Sequence, residues 1–565
     1  MSLFSVLSLS SNALNANQLG LRTVANNIAN AQTEGYIRQD LVLNTAPAQR
    51  IGHYEVGTGV KVVGVQQQIN ELVAERLRHA KGDLAGASAH EEVFRELEAL
   101  LGELEDSDLS SGLSRFFGSL HDVANQPDSV AVRNVAVLEA SQLSFDIRRH
   151  DTQIRAIRSK VNDEIADSVA DVNRLLNEIA DLNLRISQTE GGLPIEKGAV
   201  GLRDQRHLAL GQLSELLDIR TTEQASGAVT VHSNGEFLVF DGVARQLEVS
   251  LEADRGIQLN QVRIADTQAP VNTSSGRIGG LLAARDETLG GVIDRFDDIA
   301  RTLIYEFNQV FTSGQGLEGY TELKAEHRIT DSSLALDAAG LPFEPSNGTF
   351  KVITWNREQN QQETHEIAVR LNGLNDDTTL EDIRTAIDAI DGLVAEWGDD
   401  GKLSLSTDRS GLEFAFSDDT SGVVAALGMA TFFSGYSAGT IDVSEAIRSS
   451  PEKFATSSSG FGADSEIVLR LAELADRSLE SQDGRSISES YELFTIGITQ
   501  DAAAASAITE GATVFHNTIE AEHLSITGVS LDEEAVKMLA YQRAFQASAR
   551  VIQTANSLLE LLVSL

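Results

Sequence analysis

Leu7, Leu14, Leu21 and Ile28 recur at a seven-residue interval near the start of the chain, and Leu531, Met538, Phe545, Ile552 and Leu559 do the same near its close. A seven-residue apolar spacing keeps one stripe of a helix turned toward a partner helix. The intervening positions of the second series, Ala535, Gln542, Ala549, Asn556 and Val563, are mixed, so the stripe is narrower than in a strong leucine zipper. Ser530-Leu531-Asp532-Glu533 fits a capping box at the start of that helix. From Leu531 to Leu565 it would extend ~50 Å at 1.5 Å per residue.

Between Pro127 and Pro194 there is no proline, and glycine occurs only at Gly191 and Gly192. Ile154, Val161, Ser168, Leu175 and Leu182 form one seven-residue series in this stretch; Ile165, Val172, Ile179 and Ile186 form a second, offset by four. Two interleaved series at three-and-four spacing predict a coiled-coil seam. Gly191-Gly192-Leu193-Pro194 predicts a stop, and Gly201 to Asp218 a return to helix, most simply as an antiparallel hairpin. From about Ile219 to Val271 the period becomes two. Val229-Thr230-Val231, a turn at Ser233-Asn234-Gly235 and Phe237-Leu238-Val239-Phe240 predict a β-hairpin. A long helix is expected from Ile278 to Phe311, stopped by Gly314-Gln315-Gly316.

The stretch from about Pro342 to Phe433 reads as a separate α/β module. Strands are expected at Phe350–Ile353, Ile367–Val369 and Leu403–Leu405. Leu380, Ile383, Ile387, Ile390 and Val394 predict an amphipathic helix, and Asp399-Asp400-Gly401 a turn. Helical patterns resume from about Val443. The expected fold is therefore mainly α with β-rich inserts (α+β), nested and multidomain. Residues 1–70 and 525–565 would form a terminal helical assembly domain, with the end helices paired as a coiled coil. Residues 71–218, 276–335 and 436–524 would form a helical core, 219–275 a β-rich subdomain and 340–435 an outer α/β module.

Helices of the terminal kind are marginal alone, because packing supplies most helical stability. One expectation is that both ends are largely disordered in a free monomer and fold when subunits stack. The other is that both dock on their own domain's core. The pattern does not separate the two.

Composition narrows the partners. The 565 residues include 84 Asp and Glu against 44 Lys and Arg, a formal net charge of −40, which repels phosphate backbones and disfavours nucleic acid. Absence of cysteine excludes disulfides, thiolate metal sites and cysteine nucleophiles. The first charged residue is Arg22, so the basic start of a cleaved signal peptide is missing, and no apolar run approaches the ~18 residues of a membrane span. The expectation is a protein without membrane insertion, either cytoplasmic or exported by a route that reads no cleaved signal.

No catalytic constellation can be assembled, so neither a catalytic residue, a cofactor nor a metal is expected. His516 and His523, with Glu520 between them, share a helix face but fall short of the three or four ligands zinc needs. Gly57-Thr58-Gly59 with Gly64 misplaces the third glycine of a dinucleotide fingerprint. Asp106-Ser107-Asp108 and Asp399-Asp400-Gly401 lack the remainder of an EF-hand loop. A hydrolase would need a pocket with clustered carboxylates and a histidine in the 342–430 module.

Asn26-Asn27-Ile28-Ala29-Asn30-Ala31-Gln32-Thr33-Glu34-Gly35-Tyr36-Ile37-Arg38-Gln39 resembles the motif shared by bacterial flagellar rod, hook and hook-associated proteins. Asparagines tolerate the left-handed conformation that ends a helix, and Gly35 permits the turn beyond. Glu34 stands where that family usually has proline, which weakens the rigid turn. Gly528 to Ala535 and Tyr541 to Ile552 are similar to the closing helix of the hook-associated protein 1 branch. Leu202-Arg203-Asp204-Gln205-Arg206, Gly279 to Asp286 and Phe432-Phe433-Ser434-Gly435 are similar to its internal segments, in the same order. The resemblance implies a structural junction subunit rather than an enzyme, placed outside the cell between hook and filament and exported by the flagellar type III apparatus. It implies self-association in a layer, contacts with the hook protein and with a second hook-associated protein or flagellin, and an export chaperone on the C-terminal helix between Leu531 and Leu559. A different axial protein (hook, rod or flagellin) would share the terminal helices.

Overall fold

The computed structural model describes residues 3–51, 53–101, 109–191, 198–329, 331–373, 376–462 and 464–564. The expected stop at Gly192-Leu193-Pro194 and the Asp106-Ser107-Asp108 run lie outside them. Two compact units emerge: Met1–Val93, Ser159–Glu287 and Ala503–Leu565 form the first, Phe94–Arg158 and Thr288–Ala502 the second. Helix predominates, with strands gathered into several small sheets, so the mainly α fold with β-containing inserts holds.

In the first unit, the N-terminal helix Leu3–Ala29 pairs with the C-terminal helix Leu531–Ser564. The strands Gln39–Thr45 and Val60–Gln67 follow as an antiparallel pair. A four-stranded antiparallel meander covers Arg220–Glu223, Val229–Ser233, Glu236–Phe240 and Val243–Ala244. Its central hairpin turns through Asn234 and Gly235, both at positive φ (47° and 84°). That is the two-residue turn which asparagine and glycine favour between twisted strands. A second hairpin pairs Leu247–Asp254 with Ile257–Ile264.

The long helix Val130–Glu190 buries every member of both predicted seven-residue series, from Ile154 to Ile186. Ser168 is the polar member, and its hydroxyl is satisfied by donating to the Glu164 carbonyl at 2.8 Å. Beyond Glu190 the chain returns in the helix Val200–Leu216. Arg203 binds Glu190 at 2.8 Å and Arg206 binds Asn183 at 2.9 Å, the antiparallel order of a hairpin. The helix expected from Ile278 to Phe311 is present as Gly276–Ala283 and Gly290–Phe311, joined by a π-helical turn, Ala284–Leu289. That turn carries a buried arginine. Arg285, fully buried, donates to the Asn260 carbonyl (2.7 Å) and to Asn162 (3.1 Å).

One device recurs where helix meets strand. A helical asparagine turns its side-chain amide on strand backbone, accepting from N–H and donating to C=O as a strand neighbour would. Asn173 accepts from Leu247 N (2.7 Å) and donates to Leu247 O (2.8 Å). Asn183 does so with Val229 (2.9 and 2.7 Å). Asn162 accepts from Asn260 N (2.7 Å) and donates to Gln258 O (3.4 Å). In the second unit Asn308 accepts from Phe432 N and Phe433 N and donates to Phe433 O (2.8 Å). Buried backbone groups demand partners, and these amides supply them.

The second unit has an aromatic core. Phe116, Phe307, Phe311, Phe432 and Phe454 are almost completely buried, with neighbouring ring centroids 5.0–6.3 Å apart. Its α/β module carries two three-stranded antiparallel sheets. The helix Leu380–Asp388 begins with a complete capping box between Thr379 and Asp382 and buries Leu380, Ile383 and Ile387. Ile390 and Val394 lie past its end, in the following turn and in the strand Leu393–Trp397. The turn at Asp399-Asp400-Gly401 joins that strand to Leu403–Thr407, with Gly401 at φ 74°.

Candidate assembly interface

The two end helices run antiparallel. Asn27 meets Glu534 at one end of the pair, and seven residues further along, Gly20 meets Tyr541. A methyl group added at Gly20 would lie 2.6 Å from the Tyr541 ring, so glycine is what permits the approach. The positions buried on the N-terminal helix are Ser10, Ala16, Gly20, Thr23, Val24 and Asn27. Leu7, Leu14, Leu21 and Ile28 flank that line and are half-buried. Met538, Phe545, Ile552 and Leu559 are also half-buried, whereas Leu531 is 55% exposed. Of the supposed capping box, Ser530 accepts from Glu533 N (3.4 Å), but the Glu533 carboxylate binds Arg38 at 2.8 Å.

The motif after the first helix acts as a polar knot. Asn27 is fully buried with all four hydrogen-bonding valences used. Its amide donates to Gln39 O and to Glu534 Oε2, both at 2.9 Å; its oxygen accepts from Tyr36 OH (2.7 Å) and Gln39 N (3.1 Å). Asn30 donates to the carbonyl and side chain of Asn26, both at 3.0 Å, and Asn26 donates to Tyr36 OH at 3.2 Å. Only Gly35 in the motif has positive φ (74°); the asparagines do not. The left-handed role expected of them is corrected: they act through their side-chain amides, which tie the turn Thr33–Tyr36 and strand to the helix end. Of the remaining motif members, Ile28 is half-buried and Ala29 exposed.

Charge reinforces the knot. Glu534, unexposed, has Lys537 Nζ 3.1 Å away, and Lys537 also binds Asp40 at 2.9 Å. Burial would lower the Lys537 pKa, but its bonds to Asp40 and Glu534 hold it above the ordinary value. Burial, then the carboxylates of Asp204 and Glu534, push the Tyr36 hydroxyl up to about 12, so it stays a donor. Burial raises Asp204 to about 6, partly offset by a 2.6 Å bond from Gln67. Arg38 N donates to Thr527 O (2.9 Å), linking strand to the helix Ile487–Thr527.

Glu534, Gln39, Arg38, Lys537 and Tyr541 carry this geometry and were not legible from apolar spacing; the segments that carried the resemblance, Asn26 to Gln39, Gly528 to Ala535 and Tyr541 to Ile552, contain all of them but Lys537. His516 and His523 do not converge on a metal site, and no cluster of three metal-ligating side chains occurs among the described residues. Gly59 (φ 100°) serves a turn, with Thr58 bonded to Pro47 O. In the outer module an open groove is lined by His365, Glu366, Asp376 and Asp382. Asp382 is committed to its helix cap, and His365 Nε2 faces Glu363, 3.9 Å away. No nucleophile, base and orienting group line up there. No helix of the described residues is long and apolar enough to cross a membrane.

Known proteins match both ends and the middle. Residues 94–324 match the flagellar hook-associated protein FlgK helical domain. Residues 520–565 match the flagellar basal body rod FlgEFG protein C-terminal family, and 7–36 the flagella basal body rod protein family. The chain is 24% identical over 571 residues to flagellar hook-associated protein 1 of Salmonella typhimurium and 25% over 575 to that of Escherichia coli, covering 98% of each chain in both cases. It is 27% identical over 339 residues to the Bacillus subtilis protein of the same name, covering 54% of this chain and 66% of that one. Among solved structures, the flagellar hook junction protein FlgK from Burkholderia pseudomallei matches with a TM-score of 0.50 at 16% identity, over 80% of this chain and all of that one. The chain is thus similar to flagellar hook-associated protein 1 over nearly its whole length, with the FlgK helical domain in its middle.

Proposed function

We propose that this chain is the structural subunit that joins hook to filament in a bacterial flagellum, assembling as a layer through its terminal helices. The observation that carries this reading is the antiparallel terminal pair, locked at its base by Asn27 and Glu534 yet carrying exposed apolar side chains. Phe4, Val536, Leu539, Leu558 and Leu561 are each about half exposed or more. Several large apolar side chains exposed on one helix pair support its being an interaction site. Filament-forming contacts of the head-to-tail type would cover it with neighbouring copies.

In this reading the protein lies outside the cell and leaves it through the flagellar type III apparatus. Its neighbours are the hook protein on one side and a second hook-associated protein or flagellin on the other. Before export, a chaperone covers the C-terminal helix between Leu531 and Leu559, keeping the same apolar surface from premature association. The role is mechanical, with no catalytic step. A different axial position (rod, hook or filament) is the second reading, and the rod-type match at both ends speaks for it. The helical-domain match over 94–324 favours the junction.

Cells lacking the protein are the test. They should keep hooks and shed filament monomer into the medium, and a chain lacking Leu531–Leu565 should fail to restore filaments. Normal filaments in either case would overturn the reading; loss of hooks would favour the second.

A further inference from the structure

A cavity of about 210 Å³ opens in the first unit, walled by the turn around Gly35 and by the helices Glu71–Leu101, Val200–Leu216 and Ile487–Thr527. It collects Arg78, Lys81, His207 and His523 in a chain that is otherwise strongly acidic. Lys81 binds Glu215 at 2.8 Å. Arg78 is only 8% exposed, yet its one hydrogen-bond partner among the described residues is neutral, the Thr221 hydroxyl at 3.0 Å. No carboxylate of the described residues reaches it. His523 Nδ1 is buried and has no partner there. The acids nearby are Glu34 and Glu520 on the cavity wall, with Glu71 and Glu75 acting on Arg78 from further off. Burying a guanidinium without an anion is costly, and an incoming carboxylate relieves that cost with charge-assisted hydrogen bonds.

We propose that this cavity receives an acidic side chain of a second copy of the chain in the assembled layer, its carboxylate held by Arg78 and His523. The occupant rests on the assembly reading above. Charge complementarity selects it: with 84 acidic against 44 basic residues, a neighbouring copy presents carboxylates almost everywhere. Position selects it too. The cavity wall includes Thr527, whose carbonyl takes the Arg38 amide beside the terminal pair, so the site continues the surface proposed for assembly. Leu524, 57% exposed on the same wall, gives the incoming segment an apolar edge.

Carbodiimide, which couples lysine to a carboxylate already in contact, tests this on purified monomer and on isolated flagella. Lys81 should couple to Glu215 within one chain in both samples, and to an acidic residue of another copy only in flagella. Flagella carrying Lys81→Gln should lose that second cross-link. Arg78→Gln and His523→Gln, each checked for native circular dichroism, should be incorporated about tenfold less well than wild type when coexpressed with it. Incorporation of both variants at the wild-type level, with Lys81 coupled only to Glu215, would overturn the proposal while leaving the junction reading intact. Failure of the wild-type chain itself to appear in flagella would overturn both. Inorganic phosphate shifting the His523 resonance of the monomer, with no cross-link between copies, would make the cavity a small-anion site and also overturn it.

Discussion

Asn27 donates a hydrogen bond of 2.9 Å to the carboxylate of Glu534, a residue 507 positions further on, and neither side chain is exposed. Through Gln39 and Tyr36 the same asparagine holds the strand and turn that follow the first helix. Both ends of the chain are thereby fastened at one point.

Asn27→Leu should therefore cost more than one hydrogen bond, about 2–3 kcal/mol, because it leaves the backbone of Gln39 without its partner and the buried Glu534 carboxylate with Lys537 alone. Glu534→Gln, which keeps an acceptor for Asn27, should cost much less. Urea unfolding followed by circular dichroism separates the two. Equal losses would mean that the carboxylate charge, rather than the amide geometry, holds the knot.

Hydrogen exchange on the monomer should show a gradient along the terminal pair. Amides of residues 4–13 and 552–563, far from the knot and rich in exposed apolar side chains, should exchange fastest and be trimmed first by protease. Those near Gly20 to Asn27 and Glu534 to Tyr541 should be slower. Uniform slow exchange to both tips would contradict ordering by assembly.

Gly20→Val should separate the helix pair, since its Cβ would sit 2.6 Å from the Tyr541 ring, even though valine has the higher helix propensity. Adding Tyr541→Ala should recover most of the loss. A non-additive double-mutant cycle is the signature.

Asn183→Leu should be among the most damaging substitutions in the long helix. It removes an acceptor from Arg206, which is 2% exposed, and both partners of Val229. A loss of about 3–5 kcal/mol is expected, measured by chemical unfolding. Arg206 would keep only the Gly227 carbonyl among the partners described.

Why the core face of the long helix was legible, while the pairing of the terminal helices was legible but their contact face was not, follows from residue size. Ile154 to Ile186 present large apolar side chains at seven-residue intervals, and a periodicity search finds large apolar side chains. The terminal helices approach so closely that the positions between them are Ser10, Ala16, Gly20 and Thr23. Small residues carry no periodic apolar signal, so Leu7 to Ile28 drew attention to the flank instead. Likewise, within the π-turn Ala284–Leu289 one arginine reaches Asn162 and Asn260, a contact no local pattern encodes. The segments that carried the resemblance have a common physical character: Asn27, Arg203, Arg206 and Arg285 each join pieces of chain remote in sequence.

His207 makes stability depend on pH with a defined sign. Burial, then the charges of Arg78, Arg206 and Arg203, push its pKa down to about 3 from an ordinary 6.5. The unfolded chain thus takes up a proton first as pH falls. Stability from this group is complete above about pH 6.5 and is lost on acidification, at no more than about 1.4 kcal/mol per pH unit. Between pH 7.5 and 5, His207→Gln should lose less urea resistance than wild type. Parallel pH profiles would show that His207 titrates normally in the folded protein.

The asparagine amides at Gln39, Val229, Leu247 and Asn260 have a further effect. Each occupies backbone groups that an unguarded strand would offer to any passing strand of another molecule. In a polymer, where identical chains are held side by side for long periods, such offers invite fusion into ribbons. By spending a helical side chain on each, the fold withdraws these backbone groups; in the layer proposed above, helices and apolar stripes would then be the means by which copies recognise one another.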